Sequence, residues 1–272
     1  MDRALDALSI CADKLRRRRV SIVRSVATEA CRVAANGREF VQRVYDETGI
    51  ALEIISPEKE ARLAMQGCHV LLEPGSGRAL VFDIGGGSTE LVLIETREDG
   101  EEPEVLDWYS AGWGVVSLTE AAPVDSPDPE VRKAAYRTMR TLVAQAFRPF
   151  AERVASTISP DERLRLLGTS GTVTTLGSVY LGLERYDRRA IDGLMVPSEA
   201  MRAISGQLSS LSVADRAQLA CIGTERADLV VAGCAILEAI LDFWPAEQVG
   251  VADRGIREGI LRLLMARDGH YW

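Results

Sequence analysis

The residues best suited to chemistry in this sequence form a glycine-rich turn of the kind that binds phosphate. They lie in the run 83–90, which reads Asp-Ile-Gly-Gly-Gly-Ser-Thr-Glu. Three consecutive glycines remove every side chain from the turn, so backbone N–H groups can surround an anion without steric cost. Ser88 and Thr89 add hydroxyl donors. Asp83 ends a predicted buried strand, where its carboxylate can bind Mg²⁺ directly or through water.

A dinucleotide-binding glycine loop is the main alternative for this motif. Such a loop must open a helix, whereas the residues from Ser88 to Glu95 predict a strand. A strand–loop–strand hairpin that begins with Asp is instead how proteins of the actin/Hsp70/sugar-kinase superfamily hold phosphate. A plain glycine hairpin with an incidental Asp is the structural alternative.

Two further segments have functional potential but also ordinary explanations. The turn 168–172 precedes a predicted helix, and the N–H groups of Ser170 and Gly171 there could bind an anion. A turn of this kind is equally typical of a simple connection. The acidic residues of the run 58–62 open a helix after Pro57, where the helix dipole stabilises them in any protein.

The elements that must position these residues alternate between strands and helices, which is typical of an α/β fold. Gly-rich residues 73–77 mark the clearest break, and we predict a domain boundary there. The predicted strands are 20–23, 52–55, 79–83, 88–95, 105–111, 163–167 and 249–252, with a loop at 95–104. The predicted helices are 2–17, 29–47 (divided at Asn36-Gly37), 57–72, 128–155 (interrupted at Pro149), 225–242 and 254–265.

Composition excludes several classes of protein. The net charge of −8 over 272 residues argues against general nucleic-acid binding. No apolar run approaches the roughly 20 residues that span a membrane. Five widely spaced cysteines without a C-x-x-C pair disfavour a zinc site or a disulfide framework, and they predict a reducing cytoplasm.

Several motifs, taken together and in order, resemble the exopolyphosphatase/guanosine pentaphosphate phosphohydrolase family within that superfamily. The resemblance covers nearly the whole chain. The matching segments are Val26–Arg32 with Asn36, Glu60-Ala61-Arg62, Asp83–Glu90, Gly168–Thr175, Arg226-Ala227-Asp228 and Asp253–Gly259.

The resemblance implies an α/β fold of the ribonuclease-H-like type, with two domains around a cleft, and a role for each matched residue. Glu60 would be the general base that takes a proton from the attacking water, and Glu90 a second functional acid. Asp83 would hold Mg²⁺. The phosphate-binding residues would be Arg32, Gly85, Gly86, Gly87, Ser88, Thr89, Ser170, Gly171 and Arg254, although a helix-start salt bridge is an equal alternative for Arg254. The implied substrates are polyphosphate or guanosine pentaphosphate (pppGpp), and a homodimer is implied as well.

One departure from the family concerns the first domain. The family's first phosphate loop, D-x-G-x-N, does not occur before residue 83. We therefore expect residues 1–77 to form a first domain without its opening β-meander, and Met1 to be an internal methionine of a longer reading frame. Residues 78–253 would form the second domain, and the closing helix, 254–272, would pack back on the first.

Three functions stay open at this point. The leading interpretation is an exopolyphosphatase, and the same chemistry on pppGpp is a close alternative. A catalytically impaired fragment that only binds phosphate or nucleotide is favoured by the missing loop and disfavoured by the presence of Glu60, Asp83 and Glu90. A sugar or acetate kinase of the same superfamily is disfavoured because those chains are usually longer and lack the Glu-Ala-Arg helix.

Overall fold

The protein was studied as a computed structural model that describes residues 1–97, 102–159 and 162–267. The chain divides into two compact units, Met1–Glu60 and Ala61–Trp272. The division falls inside a helix, whereas the sequence places a domain boundary at 73–77, and the assignment of domains stays a prediction. Residues 98–101 of the predicted loop and 268–272 of the closing helix lie outside the described residues.

The first unit is a small α/β body. Its two strands form a parallel pair in which Ser25 lies opposite Leu52. Its apolar core consists of Leu5, Ala12, Val44 and Ile50. The elements, in chain order, are α1 (Asp2–Arg17), β1 (Ser25–Ala27), α2 (Glu29–Val33), α3 (Gly37–Thr48), β2 (Leu52–Ile54) and the start of α4 (Pro57–Cys68).

The prediction of a strand at 20–23 is wrong, because the strand begins only at Ser25. Continuing the register that pairs Ser25 with Leu52 would place 20–23 opposite 47–50. Those residues form the end of α3 and its cap, Gly49, which has a left-handed φ of 74°. Residues 20–23 therefore have no extended partner in that direction, and Ile22 and Val23 are exposed. The start of α4 is as predicted, since the Ser56 hydroxyl accepts a hydrogen bond from the Lys59 N–H.

The second unit is built on a six-stranded mixed sheet with the order β5-β4-β3-β6-β8-β7. The strands β3, β4 and β5 form an antiparallel meander, β6 and β8 run parallel to β3, and β7 is antiparallel to β8. Their bounds are β3 (Gly77–Ile84), β4 (Thr89–Thr96), β5 (Glu104–Ala111), β6 (Arg165–Thr169), β7 (Leu194–Pro197) and β8 (Gln248–Ala252).

Helices cover both faces of this sheet. On β3, Leu80 and Phe82 belong to the large core cluster, whereas Ala79 and Val81 belong to a smaller cluster that includes Cys68 of α4. This burial on both faces explains why β3 reads as a continuous apolar run. The remaining helices are α5 (Val115–Ala121), α6 (Pro129–Thr157), α7 (Gly171–Tyr180), α8 (Arg188–Ile191), α9 (Ser198–Ser210), α10 (Val213–Ala217), α11 (Val230–Phe243) and α12 (Ile256–Arg267).

Helix α6 is continuous through Pro149, so the predicted interruption is wrong. Phe147 and Phe150 on either side are fully buried, while Pro149 faces outward. The apolar contacts of the helix thus outweigh the backbone hydrogen bond that proline cannot donate. The predicted helix at 225–242 also begins later, at Val230. Gly168 and Thr169 belong to β6 rather than to a turn.

A glycine pair lets α12 approach α4 closely. A Cβ on Gly259 would overlap the carbonyl oxygen of Leu63 and lie 2.9 Å from its carbonyl carbon. A Cβ on Gly67 would lie 2.8 Å from the carbonyl carbon of Gly255. Both glycines therefore allow backbone-to-backbone packing that no larger residue permits.

This packing predicts that Gly259→Ala lowers the melting temperature by roughly 2–12 °C, because overpacking of about 1–3 kcal/mol forces the two helices apart. Gly206→Ala in α9 is the matched control, since a Cβ there meets nothing within 4 Å. It should raise the melting temperature slightly, as alanine is the better helix former. Thermal unfolding of both variants tests this, and an unchanged melting temperature in Gly259→Ala would contradict it.

Within the described residues, no helix combines the length and the apolar character that crossing a bilayer requires.

Candidate functional site

The predicted glycine-rich turn is the tip of the β3–β4 hairpin. Asp83 and Glu90 are cross-strand partners at its base. The loop is closed by one backbone bond, in which the Gly85 N–H donates to the carbonyl of Ser88 at 2.9 Å. Among the described residues, the N–H groups of Gly86, Gly87 and Ser88 donate to no backbone carbonyl. Because no backbone carbonyl of the described residues accepts from them, we expect these three N–H groups to be the loop's donors to an anion.

Helix α5 holds this loop from its carbonyl side. The first two N–H groups of the helix donate to the carbonyls of Gly85 and Gly86, at 2.9 and 2.8 Å. The Ser117 hydroxyl donates to the carbonyl of Gly87 at 3.2 Å. With all three glycine carbonyls engaged, the loop is held in a conformation in which the Gly86, Gly87 and Ser88 N–H groups bond to no backbone carbonyl of the described residues.

Gly114, which precedes α5, is a site residue that the sequence interpretation missed. A Cβ there would lie 2.5 Å from the carbonyl oxygens of both Gly85 and Gly86. Glycine is therefore required for α5 to dock on the loop. The sequence feature that could have indicated it is the short run Gly112-Trp113-Gly114 after a strand. That run alone does not predict a contact with the hairpin.

The two predicted hydroxyl donors make hydrogen bonds inside the protein. Ser88 Oγ donates to Glu90 Oε1 at 2.8 Å. Ser110 Oγ, on β5, donates to the same oxygen at the same distance. Thr89 is fully buried, and its hydroxyl donates to the carbonyl of Trp113 at 2.7 Å. Ser88 and Ser110 thus orient Glu90, and Thr89 attaches the hairpin to the segment before α5.

The second predicted anion-binding turn lies beside the first. A pocket of about 190 Å³ is lined by Gly85 and Gly86 from the hairpin and by Ser170 and Gly171 at the start of α7. Ser170 has a φ of 80°, a left-handed conformation that costs energy for a residue with a Cβ. The structure therefore brings together two of the loops that the sequence predicts to bind phosphate.

Arg254 lines a neighbouring pocket of about 250 Å³ together with Asp83, Thr169 and Asp253. Its Nε donates to Asp192 Oδ2 at 2.7 Å. Arg254 therefore forms a salt bridge, as the alternative to phosphate binding predicts. Its carbonyl accepts a hydrogen bond from the Thr169 hydroxyl, which joins the end of β6 to the segment before α12.

The oxygen atoms in this pocket suit Mg²⁺. Asp83 and Asp253 supply carboxylates and Thr169 a hydroxyl. Within the described parts of the chain, no group of three or more His, Cys, Asp or Glu side chains is placed to hold a metal ion. Mg²⁺ does not need such a cage, because it is usually held by one or two carboxylates with water and substrate phosphates completing its shell. The residues present fit the ion.

The predicted general base, Glu60, ends the first unit and is only 6 % exposed. Its Oε2 accepts a hydrogen bond from Arg32 Nη1 at 3.0 Å. Arg32 also bonds Glu29 at 2.6 Å and the carbonyl of Ile55 at 2.7 Å. Burial raises the pKa of Glu60, and the Arg32 guanidinium opposes that shift only in part. A raised pKa makes the carboxylate a stronger proton acceptor.

The mixed sheet with helices on both faces defines an α/β protein, and similarity to solved structures of the Ppx/GppA family assigns it the actin-like fold. The chain belongs to the Ppx/GppA phosphatase family, which it matches over residues 1–267. These findings confirm the predicted family, fold class and type of enzyme. The individual roles of the site residues stay predictions.

Known proteins resemble this chain in sequence and in structure. Exopolyphosphatase 2 of Mycobacterium tuberculosis is 31% identical over 95% of this chain and 79% of its own length. The guanosine-5'-triphosphate,3'-diphosphate pyrophosphatase of Aeromonas hydrophila is 28% identical over 98% of this chain, which spans half of that relative. The solved structure of an exopolyphosphatase from Cytophaga hutchinsonii superposes with a TM-score of 0.82 at 25% identity, covering 100% of this chain and 83% of that one.

Proposed function

We propose that this protein removes terminal phosphate groups from inorganic polyphosphate by metal-assisted attack of water. The observation that carries the proposal is the glycine hairpin. Its carbonyls are bound by α5 and Ser117, while the N–H groups of Gly86, Gly87 and Ser88 make no backbone bond among the described residues. Such a row of N–H groups suits a tetrahedral anion. The similarity to a mycobacterial exopolyphosphatase over most of its length supports the choice of substrate.

Phosphoryl transfer to water needs positioning and charge neutralisation more than covalent chemistry. In the proposed mechanism, the hairpin N–H groups hold the terminal phosphate and Glu60 accepts the proton of the attacking water. Arg32 keeps the Glu60 carboxylate oriented through the bond to Oε2. Glu90, held by two serine hydroxyls, serves as the second acid beside the loop.

Asp83 and Asp253 would hold the Mg²⁺ ion, with Thr169 close by. When bound, the ion would neutralise charge on the phosphate oxygens and so lower the barrier to attack. The residues of the chain then bind the substrate, orient it and accept the proton.

Hydrolysis of pppGpp is the second candidate. The Aeromonas relative, named for that substrate, is 28% identical to this chain, although the chain spans only half its length. The chemistry at the terminal phosphate would be the same, and only the recognition of the nucleoside would differ.

Phosphate release should be measured with polyphosphate and with pppGpp at equal concentrations of phosphate ends, with Mg²⁺ and with EDTA. The proposal predicts Mg²⁺-dependent release with a higher kcat/KM for polyphosphate. A higher kcat/KM for pppGpp would favour the second candidate, and no release from either would refute both.

The cellular setting is also part of the proposal. All five cysteines are free thiols, which suits a reducing cytoplasm. The net charge of −8 suits a protein that does not bind nucleic acid. The homodimer implied by the family resemblance stays a proposal, which sedimentation velocity would test.

The pH dependence of kcat/KM offers a test of Glu60 that keeps the residue intact. Burial raises the pKa of Glu60. The pH at which kcat/KM falls on the acid side of the profile, here called the acid limb, should therefore lie above the ordinary Glu pKa of about 4.3. Arg32→Gln removes a hydrogen bond and a positive charge that both lower this pKa, so the limb should move to still higher pH. Arg24→Gln is the control, since Arg24 pairs with Glu53 instead. A limb that moves down in Arg32→Gln would contradict the assignment.

A further inference from the structure

Asp192, which follows α8, is a largely buried carboxylate that accepts two hydrogen bonds from the segment before α12. Its Oδ1 accepts the backbone N–H of Asp253 at 3.0 Å, and its Oδ2 accepts the Nε–H of Arg254 at 2.7 Å. Its side chain is only 12% exposed. Both carboxylate oxygens therefore hold consecutive residues of the wall of the pocket that contains Asp83.

Strand pairing explains why Asp192 meets this segment. In the antiparallel pair of β7 with β8, Leu194 lies opposite Val251. Continuing the same register by two residues places Asp192 opposite Asp253. Gly193 makes the connection, because its N–H donates to the carbonyl of Val251 at 2.8 Å and its φ of 92° is one that a residue with a Cβ rarely adopts. The sheet itself thus determines where Asp192 lies.

The salt bridge with Asp192 uses only one of the donors of Arg254. A guanidinium carries five N–H donors, of which Nε supplies one. In the part of the chain that the structure describes, Nη1 and Nη2 of Arg254 donate to no protein atom. An arginine anchored through Nε presents its other four donors in a fixed orientation, which suits the binding of a phosphate group. Ion pairing with Asp192 and binding of phosphate are therefore compatible.

The opposite end of α8 holds the backbone of the same segment. Arg188 donates from Nη2 to the carbonyl of Asp253 at 2.7 Å, and its Nε lies 3.1 Å from Asp253 Oδ2. The same Nη2 donates to Glu258 Oε1 at 3.2 Å, and Glu258 Oε2 accepts the N–H of Gly255 at 2.9 Å. The backbone should therefore stay in place when a single side-chain contact of Arg254 is removed.

From this arrangement we infer that Asp192 is a positioning residue, which fixes the Arg254 guanidinium so that its Nη groups bind a phosphate of the substrate. The inference rests on the proposed function and deepens it. Arg254 lines the pocket that contains Asp83 and Asp253, the residues proposed above to hold Mg²⁺. An arginine that is already held in place loses little side-chain freedom when it binds, and this favours binding.

A double-mutant cycle tests the inference by calorimetric titration with tripolyphosphate in EDTA, where the proposed function predicts no hydrolysis. Arg254→Gln should raise the Kd about 10- to 100-fold, the loss expected for charge-assisted hydrogen bonds. Asp192→Asn should raise it about 3- to 10-fold, because an unanchored guanidinium must be ordered on binding. The double variant should bind no more weakly than Arg254→Gln, within about twofold, since Asp192 acts only through Arg254.

Two further variants complete the cycle. Asp242→Asn is the matched control, because Asp242 also pairs with arginines, Arg140 and Arg202, and it should keep the wild-type Kd. Arg254→Lys keeps the charge and can pair with Asp192, but it has no fork left for phosphate. It should bind almost as weakly as Arg254→Gln. This variant tests the same arrangement without altering Asp192, should Asp192→Asn fail to fold.

Hydrolysis measured alongside binding distinguishes a failure of this inference from a failure of the proposed function. Wild type that binds tripolyphosphate with the expected coupling, but releases no phosphate from polyphosphate with Mg²⁺, would refute the proposed function and support the inference. A wild-type Kd in Asp192→Asn, losses that multiply in the double variant, wild-type binding by Arg254→Lys, or no binding by wild type would each overturn the inference.

Discussion

Glu60→Gln is expected to reduce phosphate release from polyphosphate by about 10²- to 10⁴-fold, the range that positioned general bases contribute. The amide keeps the size of the side chain and can still accept the bond from Arg32, but it cannot accept a proton from water. Arg32 keeps its bonds to Glu29 and to the carbonyl of Ile55. The local structure should therefore survive the substitution.

Glu58→Gln is the matched control for this variant. It makes the same chemical change two residues earlier in α4, on an exposed side chain. Its activity should stay within about twofold of wild type, since surface substitutions away from the site have small effects. Equal losses in both variants would show that helix electrostatics, rather than proton transfer, had been disturbed.

The stability of Glu60→Gln follows from the direction of the pKa shift. A carboxyl group whose pKa is higher in the folded protein contributes stability below its unfolded pKa and loses that contribution as the pH rises through the folded value. At neutral pH the ionised Glu60 therefore favours unfolding, and a neutral Gln should leave the melting temperature equal or higher. Thermal unfolding at pH 7.5 checks this. A large decrease would mean that the carboxylate is needed for folding.

Gly114→Ala is expected to lower kcat/KM about 100-fold, the loss that a displacement of about 1 Å at a site can cause. Its Cβ would collide with the carbonyls of Gly85 and Gly86, so either α5 or the hairpin must move. Either movement breaks the hydrogen bonds that α5 makes to the loop. The N–H groups that we propose to hold phosphate would then be displaced.

Gly112→Ala provides the control, because a Cβ at that position meets nothing within 4 Å. It should keep wild-type kinetics and stability. Wild-type kcat/KM in Gly114→Ala would show that docking of α5 does not determine the activity of the loop. A melting temperature measured alongside distinguishes a displaced loop from an unfolded protein.

Local patterns in the sequence were sufficient to predict the β3–β4 hairpin. The apolar run of β3, the three glycines and the apolar run of β4 lie within 20 residues, and each element depends on its own residue types. The same is true of α1 and of the Ser56 cap of α4. These predictions succeeded because neighbours in sequence determine them.

The errors and omissions come from contacts between distant segments. Pro149 does not interrupt α6, because buried aromatic residues on both sides hold the helix in place. The strand predicted at 20–23 does not form, because the residues that would pair with it belong to the end of α3 and its cap. Ser110 donates a hydrogen bond to Glu90, 20 positions away, and the side chain that Gly114 lacks would collide with the backbone of Gly85 and Gly86. A single sequence contains no pattern that links such pairs.

The most direct test of the central claim is ³¹P NMR of long-chain polyphosphate incubated with the protein and Mg²⁺. Terminal hydrolysis predicts that the orthophosphate signal grows at the expense of the internal phosphates without an increase in chain ends, and that EDTA stops it. An unchanged spectrum, or an accumulation of new chain ends without orthophosphate, would contradict the account.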